Sequence, residues 1–237
     1  MSDISANYID VQKRIHNACL KSGRNAEEIK LVVVTKKQPT NKINEVLRAG
    51  AVYLGENYPE QLAAKINSID HSYSPQWHMI GHIQSRKINI ITEYFSMVHS
   101  LDNIETALKL NNACETRGIK MPVLVEVNIA GESSKNGINA SLESQWGSVV
   151  EFITKISDLC QLEPVGLMAM PPYTTHGESN RGYFRRCKEL LSFINQNLAL
   201  KGFYELSMGT SSDFEVAIEE GATYIRVGEA IMGPRNY

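Results

Sequence analysis

KLVVVTKKQP, residues 30–39, is a short apolar run that ends abruptly on two lysines. Leu31 to Val34 form a continuous branched aliphatic stretch, the pattern of a strand buried on both faces, as in a parallel sheet. Lys36 or Lys37 then stands where that strand ends. An amine at the mouth of an apolar strand is poorly solvated, which favours the neutral form that attacks a carbonyl. The stretch is therefore a Schiff-base candidate. The plainer alternative is a lysine that marks a strand end and reaches into water.

Working outward, the same unit repeats. AVYLGEN (51–57), QWHMIGH (76–82), SMVHSLD (96–102), PVLVEVNIA (122–130), EPVGLMAM (163–170), YELSMG (204–209) and TYIRVG (223–228) read as seven further strands. Between them lie segments with helical spacing: Ile43, Val46 and Leu47 before Gly50; Leu62, Ile66 and Ile69; SRKINIITEY; NIETALKLNNACETRG; Trp146 to Ile156; Glu178 to Leu200; and DFEVAIEEG. Ahead of them Ile4, Ile9, Val11, Ile15 and Leu20 predict an amphipathic leading helix from Ile4 to Cys19, packed outside the core. Alternation alone also permits a doubly wound open sheet. Eight strands with helices between them favour one α/β domain over residues 1–237, a (β/α)₈ TIM barrel with an extra N-terminal helix. The irregular stretches 70–75 and 171–177 read as loops within it.

Composition narrows the function classes. The chain has 237 residues, 43% hydrophobic and 21% charged, with a net charge of −2, so nothing suggests nucleic acid or an anionic membrane as a partner. No apolar leader and no run long enough for a membrane span is present, which predicts a cytoplasmic protein. Cys19, Cys114, Cys160 and Cys187 are far apart without a CxxC pair, arguing against both a zinc site and a disulfide framework. His78 and His82 have the i, i+4 spacing that ligates zinc on a helix, but they fall in a strand and turn, so no metal is expected. No GxSxG elbow supports a hydrolase triad.

In such a barrel the chemistry gathers at the C-terminal ends of the strands. Lys36, Asn57, His82, Gln84, Asn128, Ser207 and Arg226 all fall there. Arg226 sits inside an otherwise apolar strand and needs a partner, which a structural ion pair would supply. SMGTSSDF after strand seven and RVGEAIMG after strand eight combine hydroxyls, helix starts and Gly228, a pairing suited to phosphate. Thr210, Ser211 and Ser212 would serve equally as helix caps. An amine together with a phosphate pocket points to an aldehyde bearing a phosphate.

WHMIGHIQSRK (77–87), LGENYPE (54–60), VVVTKKQP (32–39) and LSMGTSSDFEVAIEEGATYIRVGEAIMG (206–233) together resemble the YggS/PROSC family of pyridoxal 5'-phosphate homeostasis proteins over nearly the whole chain. The resemblance implies a barrel like the N-terminal domain of bacterial alanine racemase. It implies pyridoxal 5'-phosphate (PLP) as cofactor, held as a Schiff base on Lys36, with no established turnover. By position, Ser207, Gly228 and Glu229 would contact the phosphate, the last two through backbone N–H groups. Arg226 would face the pyridine nitrogen and Asn57 would neighbour the cofactor. GHIQSRK departs from many relatives at His82 and Arg86, which touches the rim. A monomer is expected, with PLP-dependent apo-enzymes as candidate recipients. The rival readings are a PLP-dependent amino-acid racemase or lyase and, more remotely, a class I aldolase.

Overall fold

The computed structural model describes residues 3–234, without the side chain of His71. Of the expected 1–237 span, residues 1, 2 and 235–237 lie outside the described residues. The chain opens with α1 (Ile4–Ser22), capped by the Asp3 carboxylate on the Ala6 N–H at 2.9 Å and ended by Gly23 at φ 68°, a left-handed turn that suits a residue without Cβ. Its buried face is Ile4, Tyr8, Val11, Ile15, Ala18 and Cys19, whereas Ile9 and Leu20, expected on that face, are exposed. Tyr8 takes their place because its hydroxyl reaches the Gly50 carbonyl at 3.2 Å. Ion pairs from Arg14 to Glu215 and Lys21 to Glu219 tie the helix down. It lies outside the barrel, yet its face joins the continuous core beneath.

The strand–helix alternation follows: β1 (Lys30–Val34), α2 (Thr40–Arg48), β2 (Tyr53–Glu56), α3 (Pro59–Lys65), β3 (Gln76–Met79), α4 (Ile88–Tyr94), β4 (Met97–Leu101), α5 (Ile104–Arg117) and β5 (Met121–Asn128). Then come α6 (Trp146–Ser157), β6 (Leu162–Ala169), α7 (Arg181–Asn197), β7 (Glu205–Ser207), α8 (Phe214–Glu219), β8 (Tyr224–Val227) and α9 (Glu229–Met232). All eight strands pair parallel in chain order, β8 pairs β1, and the ring is closed. The open-sheet alternative is thereby excluded. A two-residue segment, Ile138–Asn139, adds itself to the end of β5.

Strands two, three and seven are shorter than their sequence suggests. The polar ends leave the sheet to make loop contacts: the Gly81 carbonyl accepts the Ser100 hydroxyl at 2.5 Å, and a Cβ on Gly81 would stand 2.6 Å from the Asn57 carbonyl oxygen. The short helix α9 was not foreseen, because GEAIMG offers only one turn between two glycines.

Strand parity sorts the apolar residues. Leu31, Val33, Leu54, Val98, Val123, Val125 and Ile225 face the helices and form the main core. Val32, Met97, Leu124, Met168 and Tyr224 face inward and fill the barrel as a separate cluster. Each fully buried aliphatic side chain contributes about 1.5–3 kcal/mol, so the burial pattern is stringent about register. On β1 the even-numbered residues point inward. Among the described residues no helix is long and apolar enough to cross a membrane, and no group of residues is arranged to hold a metal ion.

Candidate functional site

The lysine end of β1 is built by its neighbours. Strand pairing runs one residue past the strand, because the Thr35 N–H bonds the Gly55 carbonyl at 3.0 Å. The chain then turns, with Gln38 N–H on the Thr35 carbonyl at 3.0 Å and Lys37 at φ 58°. Lys36 is half-buried and Lys37 exposed. Beside them Glu56, fully buried at the end of β2, accepts the Thr35 hydroxyl at 2.8 Å and pairs with Lys65. Among the described residues Asn57 Oδ1 and Glu56 Oε2 are buried without a hydrogen-bond partner. Orphaned acceptors of this kind are costly unless a further group meets them.

Two loops complete the same rim. In 208–213 Asp213 is the organiser: its Oδ1 accepts the Thr210 N–H at 2.6 Å and the Thr210 hydroxyl at 3.0 Å, while Oδ2 accepts Asn180 at 2.8 Å. This leaves the Ser211 hydroxyl directed across to the next loop, where its Oγ accepts the N–H groups of Gly228 and Ala230, each at 3.2 Å. An oxygen sits at converging backbone donors, as an anion's oxygen would. Glycine eases a close approach here, since a Cβ on Gly228 would stand 3.3 Å from Val34 Cβ. Of the three hydroxyls considered as caps, Ser211 thus binds backbone donors of another loop, and no side chain caps α8.

Inside the barrel Arg226 is 4% exposed. Its Nη1 donates to Ser207 Oγ at 2.6 Å and its Nη2 to the Ala169 carbonyl at 3.0 Å. Among the described residues it makes no salt bridge of contact length, so the ion-pair alternative is not what holds it. Burial pulls its pKa down to about 10, opposed by the charges of Glu126 and Asp213, and the guanidinium stays protonated at neutral pH. Ser207 also meets His99 Nδ1 at 2.9 Å, and His99 Nε2 meets His78 Nδ1 at 2.9 Å. Burial drives both imidazoles toward the neutral form, His78 to about 3 with help from Lys30, and His99 well below its usual value with help from His78 and Arg226. Burial, reinforced by Asp102, raises Glu126 to about 7.

The expected site residues fall into two groups. Lys36, Asn57, Gly228 and Glu229 lie at the C-terminal rim, Gly228 and Glu229 at the start of α9. Ser207 lies within the barrel beside Arg226, and the hydroxyl at Gly228 is that of Ser211. His82 and Gln84 are exposed. Residues the sequence reading passed over are Asp213, Glu56, His99 and Glu126, while Ser211 was read only as one of three hydroxyls suited to phosphate or to a helix cap. His99 and Glu126 carry the signal that singled out Arg226, a polar residue within an apolar strand.

The alanine racemase N-terminal domain is the family whose model matches, over residues 9–236. The chain belongs to this family. Among its members it is 33% identical, over 99% of this chain and 97% of the other, to a pyridoxal phosphate homeostasis protein of Haemophilus influenzae. A structure of PipY from Synechococcus elongatus with PLP bound is 26% identical, with a TM-score of 0.79 over 94% of this chain and all of that one. An alanine racemase of Clostridium difficile, 16% identical with a TM-score of 0.67, shares the fold; the match covers 95% of this chain and 56% of the racemase.

Proposed function

We propose that this protein holds PLP covalently through the Lys36 amine and serves intracellular PLP homeostasis, without catalytic turnover. The observation that carries the reading is the convergence on one rim of a strand-end lysine, the unpartnered Asn57 Oδ1 and the Ser211–Gly228 anion cradle. Strand parity supports Lys36 over Lys37, since 30, 32, 34 and 36 share the inward side. The naming of the curated relatives and the PLP bound to PipY support the cofactor class.

The residues fit such a group. The backbone N–H groups of Gly228 and Glu229, with the Ser211 hydroxyl, are suited to hold the phosphate. Asn57 brings an acceptor with nothing else to bond. Arg226 has donors beyond those used on Ser207 and Ala169, and these serve the pyridine nitrogen. When bound, PLP supplies an aldehyde for the lysine and a ring that withdraws electrons from an attached carbon. The ring withdraws most strongly when its nitrogen is protonated by an acid. Arg226 is charged, donates only, and keeps its proton, so it leaves that nitrogen a mere acceptor. This supports binding over turnover. All proposed contacts come from one chain, consistent with a monomer, and candidate recipients are PLP-dependent apo-enzymes.

The test is the visible spectrum of the purified protein before and after borohydride reduction, with peptide mapping of the modified residue. A label on Lys36 is expected. A colourless protein that takes up no PLP would overturn the reading.

A further inference from the structure

The polar groups along the barrel axis form a line with a direction. Ser207 and His99 are fully buried, and His78 is 2% exposed. A guanidinium has only donors, so Arg226 Nη1 donates to Ser207 Oγ. The serine then has one proton of its own to place. Among the described residues its remaining partner is His99 Nδ1 at 2.9 Å, which must therefore be the bare nitrogen. His99 carries its proton on Nε2 and donates it to His78 Nδ1 at 2.9 Å. His78 in turn carries its proton on Nε2, the far side of the ring. The opposite direction would leave the buried serine proton without an acceptor, a cost of about 1–3 kcal/mol.

The line ends at a cavity of about 230 Å³ at the N-terminal mouth of the barrel, lined by His78, Gln76, Met97, Glu205 and Tyr224 among others. Lys30 pairs with Glu205 there and lies 4.5 Å above the Tyr224 ring. The charged or titratable groups around the histidines are thus Lys30, Glu205, Tyr53 and Tyr224 at the mouth and Arg226 at the other end.

We propose that His99, acting through Ser207, is a positioning residue for Arg226, and that both histidines are locked as neutral Nε2–H tautomers so that every hydrogen bond in the line donates away from Arg226. This rests on the reading that Arg226 faces the cofactor nitrogen. The consequence is that the arginine is anchored from the N-terminal half of the barrel and receives no proton through it.

Two measurements test this. In the cofactor-free wild-type protein labelled with ¹⁵N-histidine, the ring correlations of His78 and His99 should show protonated Nε2 and bare Nδ1, unchanged between pH 5 and 8. Assignment uses His78→Gln and His99→Asn. A protonated Nδ1 on either ring, or titration in that range, overturns the proposal whether or not PLP binds. In PLP-loaded protein, His99→Leu removes the acceptor for Ser207. It should shift the absorption maximum and weaken PLP binding about tenfold. His99→Asn places an amide oxygen near the former Nδ1 and should restore spectrum and affinity to nearly wild type. Met97→Leu, a core change on the same strand, should alter melting temperature but not the spectrum. If His99→Leu and His99→Asn bind PLP with the wild-type spectrum and affinity, His99 is structural only. If wild-type protein binds no PLP while the tautomers are as stated, the line stands and the proposed function falls.

Discussion

Glu126→Gln should stabilise this protein at alkaline pH and do almost nothing at acid pH. Glu126 stands on β5, half-buried, with its carboxyl raised from the ordinary 4.5 to about 7 by burial first and Asp102 second, while Arg226 pulls the other way. Between those two values the folded state binds more protons than the unfolded state, so stability falls as pH rises through this window and levels off above about 7. At about 1.4 kcal/mol per tenfold change in proton affinity, the full gap amounts to about 3 kcal/mol, and partial water access trims it to about 2–3. Glutamine keeps the shape and stays neutral, so it removes the slope. Urea unfolding of cofactor-free protein at pH 5 and pH 8 measures the difference. We expect the variant to lead by no more than about 1 kcal/mol at pH 5, where the unfolded carboxyl has already begun to ionise, and by about 2 kcal/mol or more at pH 8. Equal pH dependence in both proteins would refute the argument. A variant less stable at pH 8 would mean that the ionised carboxylate is satisfied by Arg226 after all.

Other changes separate the parts of the site. Lys36→Ala should abolish borohydride-fixed PLP while Lys37→Ala retains it, read by peptide mapping; a label on Lys37 would overturn the assignment by strand parity. Ser211→Ala removes the oxygen at the Gly228 and Ala230 N–H groups and should weaken PLP about five- to tenfold, measured by equilibrium titration, leaving the absorption maximum in place. Gly166→Ala puts a Cβ 1.9 Å from the Glu205 carbonyl oxygen, between β6 and β7, and should cost about 3 kcal/mol or more in urea unfolding. Dilution should leave the bound PLP fraction per chain unchanged beyond simple mass action, since the proposed contacts come from one chain; abrupt loss in step with dimer dissociation, seen by light scattering with absorbance, would place the pocket across an interface.

Local sequence was enough for the repeat of strands and helices. Runs such as Leu31–Val34 and Pro122–Val127 bury both faces, and that demand is written in each run without reference to the others. The position of Lys36 at a strand end, and of Gly228 just after one, was legible for the same reason. What the sequence could not carry was anything decided by parity at the strand ends or by contacts across the ring. The leading helix illustrates this: Ile9 and Leu20 are as apolar as Ile15, but the surfaces of α2, α8 and α9 determine which side is covered, and Tyr8 wins through the Gly50 carbonyl. Ser211 is indistinguishable in sequence from a helix cap, and only the approach of the loop after β8 gives its oxygen two backbone donors. His78, His99, Ser207 and Arg226 come from four strands and are up to 148 residues apart. Closing the barrel is what brings them within hydrogen-bond distance, because inward residues of non-adjacent strands meet only across a ring that the chain completes last.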